Sequence, residues 1–140
     1  MTAPTAPALS GSCLCGGIRY QVRGEPGAMV VCHCSRCRKA NGSAFQAVVP
    51  IATGDFELLE GAEWLAGYES SPGVHRMFCR HCASPLYSRR DAMPEMLRLR
   101  VGTLDTPLSA GPSMHIFVGS KAEWYDIHDD AEQHRTRPGE

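Results

Sequence analysis

A chain of 140 residues, 43% hydrophobic and only 7% aromatic, is sized for one domain with a modest core. Its 14 basic and 15 acidic side chains give a net charge of −1, which excludes the basic footprint of a nucleic-acid binder, and no apolar run is long enough to span a bilayer. With 14 glycines, 10 prolines and 7 cysteines, turns are many and large side chains few, so metal cross-links are expected to supplement hydrophobic burial.

Residues 1–10, MTAPTAPALS, have the composition of a disordered arm and lack the basic start and apolar run of a secretion signal. A cytoplasmic, reducing setting is expected, where an odd number of cysteines points to metal ligation rather than disulfides. The domain itself is expected over residues 11–128, with a polar tail at 129–140. Cys13-Leu14-Cys15-Gly16-Gly17 reads as a turn leading into a strand, because Ile18, Tyr20 and Val22 alternate with Arg19 and Gln21. After the turn Gly24-Glu25-Pro26-Gly27, a short apolar strand at 28–31 delivers the chain to Cys32. Residues 35–40 suit one or two helical turns, stopped by a left-handed cap at Asn41-Gly42. Strand-like runs follow at 44–49, 56–60, 64–68, 74–78, 85–88, 96–101 and 113–118, separated by turns such as Thr53-Gly54-Asp55 and Ser71-Pro72-Gly73. That rhythm predicts a mainly β, antiparallel domain with at most short helical turns. Leu97, Leu99 and Val101 alternate with Arg98 and Arg100, which predicts one buried face and one wet face. Residues 121–125 close the domain.

The stretch Cys32-His33-Cys34-Ser35-Arg36-Cys37 constrains the chemistry most. A C-x-C-x-x-C run can turn three sulfurs onto one ion at about 2.3 Å, but three ligands are one short of a closed tetrahedral site. The remaining thiols form two pairs, Cys13/Cys15 and the knuckle Cys79-Arg80-His81-Cys82. Spacing alone leaves open which cluster Cys13/Cys15 joins, although a division into four and three uses every thiol. We therefore expect two zinc ions per chain. A closed, structural zinc on Cys13, Cys15, Cys79 and Cys82 pins the first strand to a central hairpin, and an open, catalytic zinc sits on Cys32, Cys34 and Cys37. No organic cofactor is expected.

An ion held by three thiolates keeps a formal negative charge and polarises water weakly, so its free position suits another soft donor, a substrate thiol. Arg36, Arg38 and Lys39 either offset the cluster's charge, hold a substrate carboxylate, or form an ordinary solvated face. His33 lies between two ligands, and in extended backbone its side chain points to the opposite side from theirs. His81 has the same position within its knuckle, and His115 reads as a satisfied core histidine. Phe45 and Trp124 read as packing residues or as walls of a cleft.

The runs Gly11-Ser12-Cys13-Leu14-Cys15-Gly16-Gly17-Ile18-Arg19-Tyr20, Cys32-His33-Cys34-Ser35-Arg36-Cys37-Arg38-Lys39 and Phe78-Cys79-Arg80-His81-Cys82 resemble the glutathione-dependent formaldehyde-activating enzyme family, also called the centromere-protein-V-like domain. The likeness also takes in Gly102-Thr103-Leu104-Asp105, His115-Ile116 and Trp124. It implies an Mss4-like β-sandwich stapled by zinc, with the ligand sets given above. It also implies carbon–sulfur lyase chemistry on a small thiol–aldehyde adduct such as S-hydroxymethylglutathione, the substrate thiol being bound at the three-cysteine zinc. One departure is Ala83, where the family has glycine at a turn of positive φ. The alternative is a zinc-stabilised protein-binding module without catalysis, and a redox sensor built on Cys32, Cys34 and Cys37 is a third possibility. A small thiol or thiol adduct is the expected partner, with no nucleic acid and no membrane, and the oligomeric state is left open.

Overall fold

The computed structural model describes residues 9–139. The arm expected over 1–10 lies outside the described residues except for Leu9 and Ser10, which open the first strand. Three strands, β1 (Leu9–Ser12), β2 (Arg19–Val22) and β5 (Phe56–Glu60), make a small antiparallel sheet in the order β1-β2-β5. The larger sheet takes β3 (Met29–Cys32), β4 (Gln46–Ala52), β6 (Leu65–Ser71), β7 (Val74–Cys79), β8 (Pro85–Arg90), β9 (Met93–Arg100), β10 (Pro112–Ile116) and β11 (Glu132–Gln133). Its order is β11-β10-β3-β4-β9-β8-β7-β6. The α-helix, α1 (Ser35–Asn41), is capped by Gly42 at φ 62, as the Asn-Gly pair predicts. It is the one α-helix among the described residues, none of whose helices is long and apolar enough to cross a membrane.

The mainly β architecture with a short helical turn is the one expected. Strands joined by short turns pair antiparallel, but β10 runs parallel to β3 and β11 parallel to β10. Parallel neighbours need long crossovers, and local turn signals do not report those. Residues beyond 128, expected as a tail, run beside β10: His134 N–H donates to the His115 carbonyl at 2.8 Å and Phe117 N–H to that of Thr136 at 2.9 Å.

The core lies between the two sheets. Tyr20 and Val22 of the small sheet, with Ile18 just before β2, meet Val49, Ile51, Tyr87, Leu97 and Leu99 of the large one. Tyr20 stacks on Phe56 at 5.3 Å, and Phe56 tilts against Tyr87 at 5.1 Å, so one aromatic column ties the layers together. The buried Tyr20 hydroxyl is satisfied by Thr103 Oγ1 at 2.7 Å.

Strand alternation sends the other residues of the large sheet to its opposite face. Arg76 lies opposite Ser88, Ser88 opposite Arg98, and Arg98 opposite Pro50, so all four share that face. Two positions along from Ser88 and Arg98, Arg90 and Arg100 share it too. This face was expected to be wet, and that expectation needs correction. Arg100 is only 5% exposed and Arg98 is half-buried, because α1 and the returning segments at Phe117, Ser120 and Arg137 stand over the sheet and turn the face into a cavity wall.

Candidate functional site

The first cysteine cluster is assembled at the edge of the sandwich from two tight turns. Cys13 and Cys15 lie between β1 and β2, while Cys79 and Cys82 lie between β7 and β8, and all four sulfurs fall within 4.8 Å of one another. Cys13 and Cys15 Sγ are 3.5 Å apart, and Cys15 and Cys79 Sγ are 3.9 Å apart. Sulfurs held tetrahedrally at about 2.3 Å from one ion stand about 3.8 Å apart, so the set fits zinc. Amide groups support the sulfurs: Ile18 N–H donates to Cys13 Sγ at 3.2 Å and Gly17 N–H to Cys15 Sγ at 3.4 Å. The turn after each pair is left-handed, at Gly16 with φ 78 and at Ala83 with φ 67.

The second cluster sits where β3 runs into α1. Cys32 ends the strand, Cys34 caps the helix by accepting from Cys37 N–H at 3.3 Å, and Cys37 faces inward from the first turn. Their sulfurs also lie within 4.8 Å of one another, and the group contains no fourth donor among the described residues. Three thiols so close cannot all ionise without a cation. Hydrogen bonds from Cys32 and then Cys37 hold the Cys34 thiol well below its ordinary value, and bonding to Cys34 and Cys37 together with burial pushes Cys32 up. A divalent ion removes this conflict, so the donor set fits zinc here as well.

His33, between two of these cysteines, is fully buried and turned the other way. Its Nε2 meets His115 Nδ1 at 2.8 Å, and His115 Nε2 meets the Asp129 carboxylate at 3.0 Å. The carboxylate can only accept, so the network assigns one tautomer: His115 donates from Nε2 to Asp129 and accepts at Nδ1 from His33 Nε2–H. Burial, then the proximity of His115 and of the Lys121 ammonium, draws His33 down to about 4, which keeps it neutral. His81 is exposed beside Trp64, at 5.2 Å between ring centroids.

The three-cysteine cluster opens into a cavity of about 660 Å³. Cys32, Cys34, Cys37 and Arg36 line it together with the sheet face described above, including Gln46, Ser88, Arg76, Arg90 and Arg98, and Arg137 closes it from the tail. Arg38 and Lys39, weighed beside Arg36 on sequence, are not among the lining residues, and neither are Phe45 or Trp124. Phe45 packs on His33 and Tyr125, while Trp124 is 68% exposed.

The strand arginines are functional candidates that sequence reasoning passed over. Arg76 is fixed by Gln46 Oε1 at 2.9 Å and Ser70 Oγ at 3.0 Å, which directs its Nη2 to 3.7 Å from Cys37 Sγ. Arg100 donates to Ser88 Oγ at 3.4 Å and the Arg98 carbonyl at 3.2 Å, and burial together with the nearby Arg76 charge draws it down to about 10. The signal that could have found them is their shared parity along β7, β8 and β9. It becomes readable only once the register between those strands is known.

Comparison with known proteins follows the same lines. A family model described as glutathione-dependent formaldehyde-activating enzyme matches residues 8–120. Over 139 residues the chain is 32% identical to a Halomonas elongata protein whose name places it with the glutathione-dependent formaldehyde-activating enzymes, covering 94% of this chain and 87% of that one. A Schizosaccharomyces pombe protein named as an uncharacterized lyase is 31% identical over 81 residues, 58% of this chain and 57% of its own. The crystal structure of a Rhodobacter sphaeroides protein matches with a TM-score of 0.59 at 25% identity, covering 71% of this chain and 91% of that chain. With two cysteine clusters of the composition that zinc sites take, and a family match across most of its length, the chain belongs to the glutathione-dependent formaldehyde-activating enzyme family.

Proposed function

We propose that the protein is a zinc-dependent carbon–sulfur lyase that makes or cleaves a small thiol–aldehyde adduct such as S-hydroxymethylglutathione. Cys13, Cys15, Cys79 and Cys82 would hold a structural zinc, and Cys32, Cys34 and Cys37 a catalytic one. The observation that carries the reading is a three-sulfur cluster, without a fourth donor among the described residues, that opens into a cavity large enough for a small thiol. Bound there, zinc supplies a free position that keeps a substrate sulfur as thiolate near neutral pH.

The chain's own side chains do the rest. In the forming direction the thiolate sulfur adds to the aldehyde carbon, the carbonyl electron pair moves to oxygen, and that oxygen takes a proton from solvent water to become the hydroxyl. In the cleaving direction the hydroxyl gives its proton to water, the carbonyl re-forms, and the carbon–sulfur bond breaks with its electron pair leaving on sulfur as thiolate. Arg76, locked by Gln46 and Ser70 beside Cys37, places a fixed positive charge where the oxygen becomes negative. His33, bonded to His115 behind the cluster, orients the Cys32–Cys34 segment and does not enter the cavity.

The test is the exchange rate between formaldehyde with glutathione and their hydroxymethyl thioether, followed by magnetisation transfer in the zinc-loaded protein. Wild type should accelerate exchange, and Cys34→Ser should remove at least about 99% of the acceleration, a loss of about 2.7 kcal/mol in transition-state stabilisation. Cys34→Ser protein that retained full acceleration would count decisively against the reading.

A further inference from the structure

Five arginines, Arg36, Arg76, Arg90, Arg98 and Arg137, line the cavity and no aspartate or glutamate does. Arg100 lies within the same wall at 5% exposure. Among the described residues none of these six pairs with a carboxylate, whereas the surface arginines Arg23 and Arg89 each do, with Glu57 and Asp91. The Nε atoms of Arg90 and Arg100 are buried without a hydrogen-bond partner. Gathering unpaired guanidinium groups in a half-dry cavity is unfavourable unless something else supplies the negative charge. A trithiolate ion supplies one formal charge, and Arg76 beside Cys37 already answers it. Four guanidinium groups, with Arg100 beneath them, are left over.

We propose that Arg90, Arg98 and Arg137, backed by Arg100, form a subsite for the acid groups of the substrate, so that the preferred thiol carries two or more carboxylate or phosphate groups and no free ammonium. The identification of the ligand as a thiol rests on the lyase reading above; the anion subsite does not. Guanidinium groups bind carboxylate and phosphate through paired N–H bonds, and Gln46 and Ser88 on the same wall supply neutral partners. An ammonium would meet like charge with no carboxylate to receive it.

The experiment is calorimetric titration of the zinc-loaded full-length protein. Succinate has no sulfur and tests the subsite alone: it should bind wild type, and Arg98→Gln and Arg90→Gln should each weaken it about tenfold or more, the size expected for a lost charge-assisted hydrogen bond. Circular dichroism and zinc content confirm that each variant is folded, and Arg90→Gln decides the matter should Arg98→Gln not fold. Glutathione and N-acetylglutathione form the second arm. Acetylation removes the ammonium, so the acetylated thiol should bind more tightly. No succinate binding, equal binding by wild type and both variants, or tighter binding of unmodified glutathione would overturn the proposal. If wild type binds succinate but shows no adduct exchange, the lyase reading fails while the anion subsite stands.

Discussion

Ala83 holds a φ of 67, a left-handed conformation that costs a residue with a Cβ about 1–2 kcal/mol. It follows Cys82 as Gly16, at φ 78, follows Cys15, so the two knuckles turn alike and only one has the residue suited to the turn. Glycine returns part of that cost through the extra freedom it gives the unfolded chain, roughly 0.5–1 kcal/mol. Ala83→Gly should therefore stabilise the zinc-loaded protein by about 0.5–1 kcal/mol, read as a higher urea midpoint at an unchanged slope. A lower midpoint would contradict this account of the turn. At this scale the sequence was informative in part: spacing marked the three-cysteine run and the two pairs but left open which cluster Cys13/Cys15 joins, and the family resemblance marked Ala83 as standing where a glycine is usual. Alternation alone turned His33 away from its neighbours, but finding His115 and Asp129 behind it took the fold, since His115 lies 82 positions beyond His33 in sequence and Asp129 a further 14.

The two clusters differ in what they join. Cys13/Cys15 belongs to the small sheet and Cys79/Cys82 to the large one, so an ion held by all four clamps the layers of the sandwich at one edge. Cys32, Cys34 and Cys37 fall within six sequence positions and tie only β3 to α1. Losing a ligand should accordingly have unequal effects. We expect Cys79→Ser to lower stability by about 3 kcal/mol or more, roughly 10 °C in Tm, and Cys34→Ser to lower it much less while costing the protein its second zinc. Thermal unfolding with metal analysis checks this; a Cys79→Ser protein of wild-type Tm would contradict it. Hairpins and the helix cap were legible because their signals are local. The β3–β10 pairing was not, because Cys32 and Ile116 are brought together across most of the chain with no turn between them to read.

Taken as a whole, the molecule is nearly neutral, with a net charge of −1, yet its charges are segregated. Arginines collect around one cavity, where they make the surroundings of the cysteine cluster positive, while paired charges such as Arg23–Glu57 stay at the surface. Composition averages such a field away. The alternation along β9 did register Arg98 and Arg100 as a separate face, but without the tail and α1 folded over it that face read as wet. Sulfur cluster, arginine wall and enclosing tail line one cavity; in the function proposed above, a zinc on the cysteines would take the thiol and the guanidinium groups its acid groups. The most direct measurement of the central claim is zinc X-ray absorption on the full-length protein with and without added thiol. The account predicts two zincs per chain and a rise in the mean number of sulfur neighbours when thiol is added, a rise that Cys34→Ser abolishes. A sulfur count that stays the same in wild-type protein saturated with thiol would contradict it.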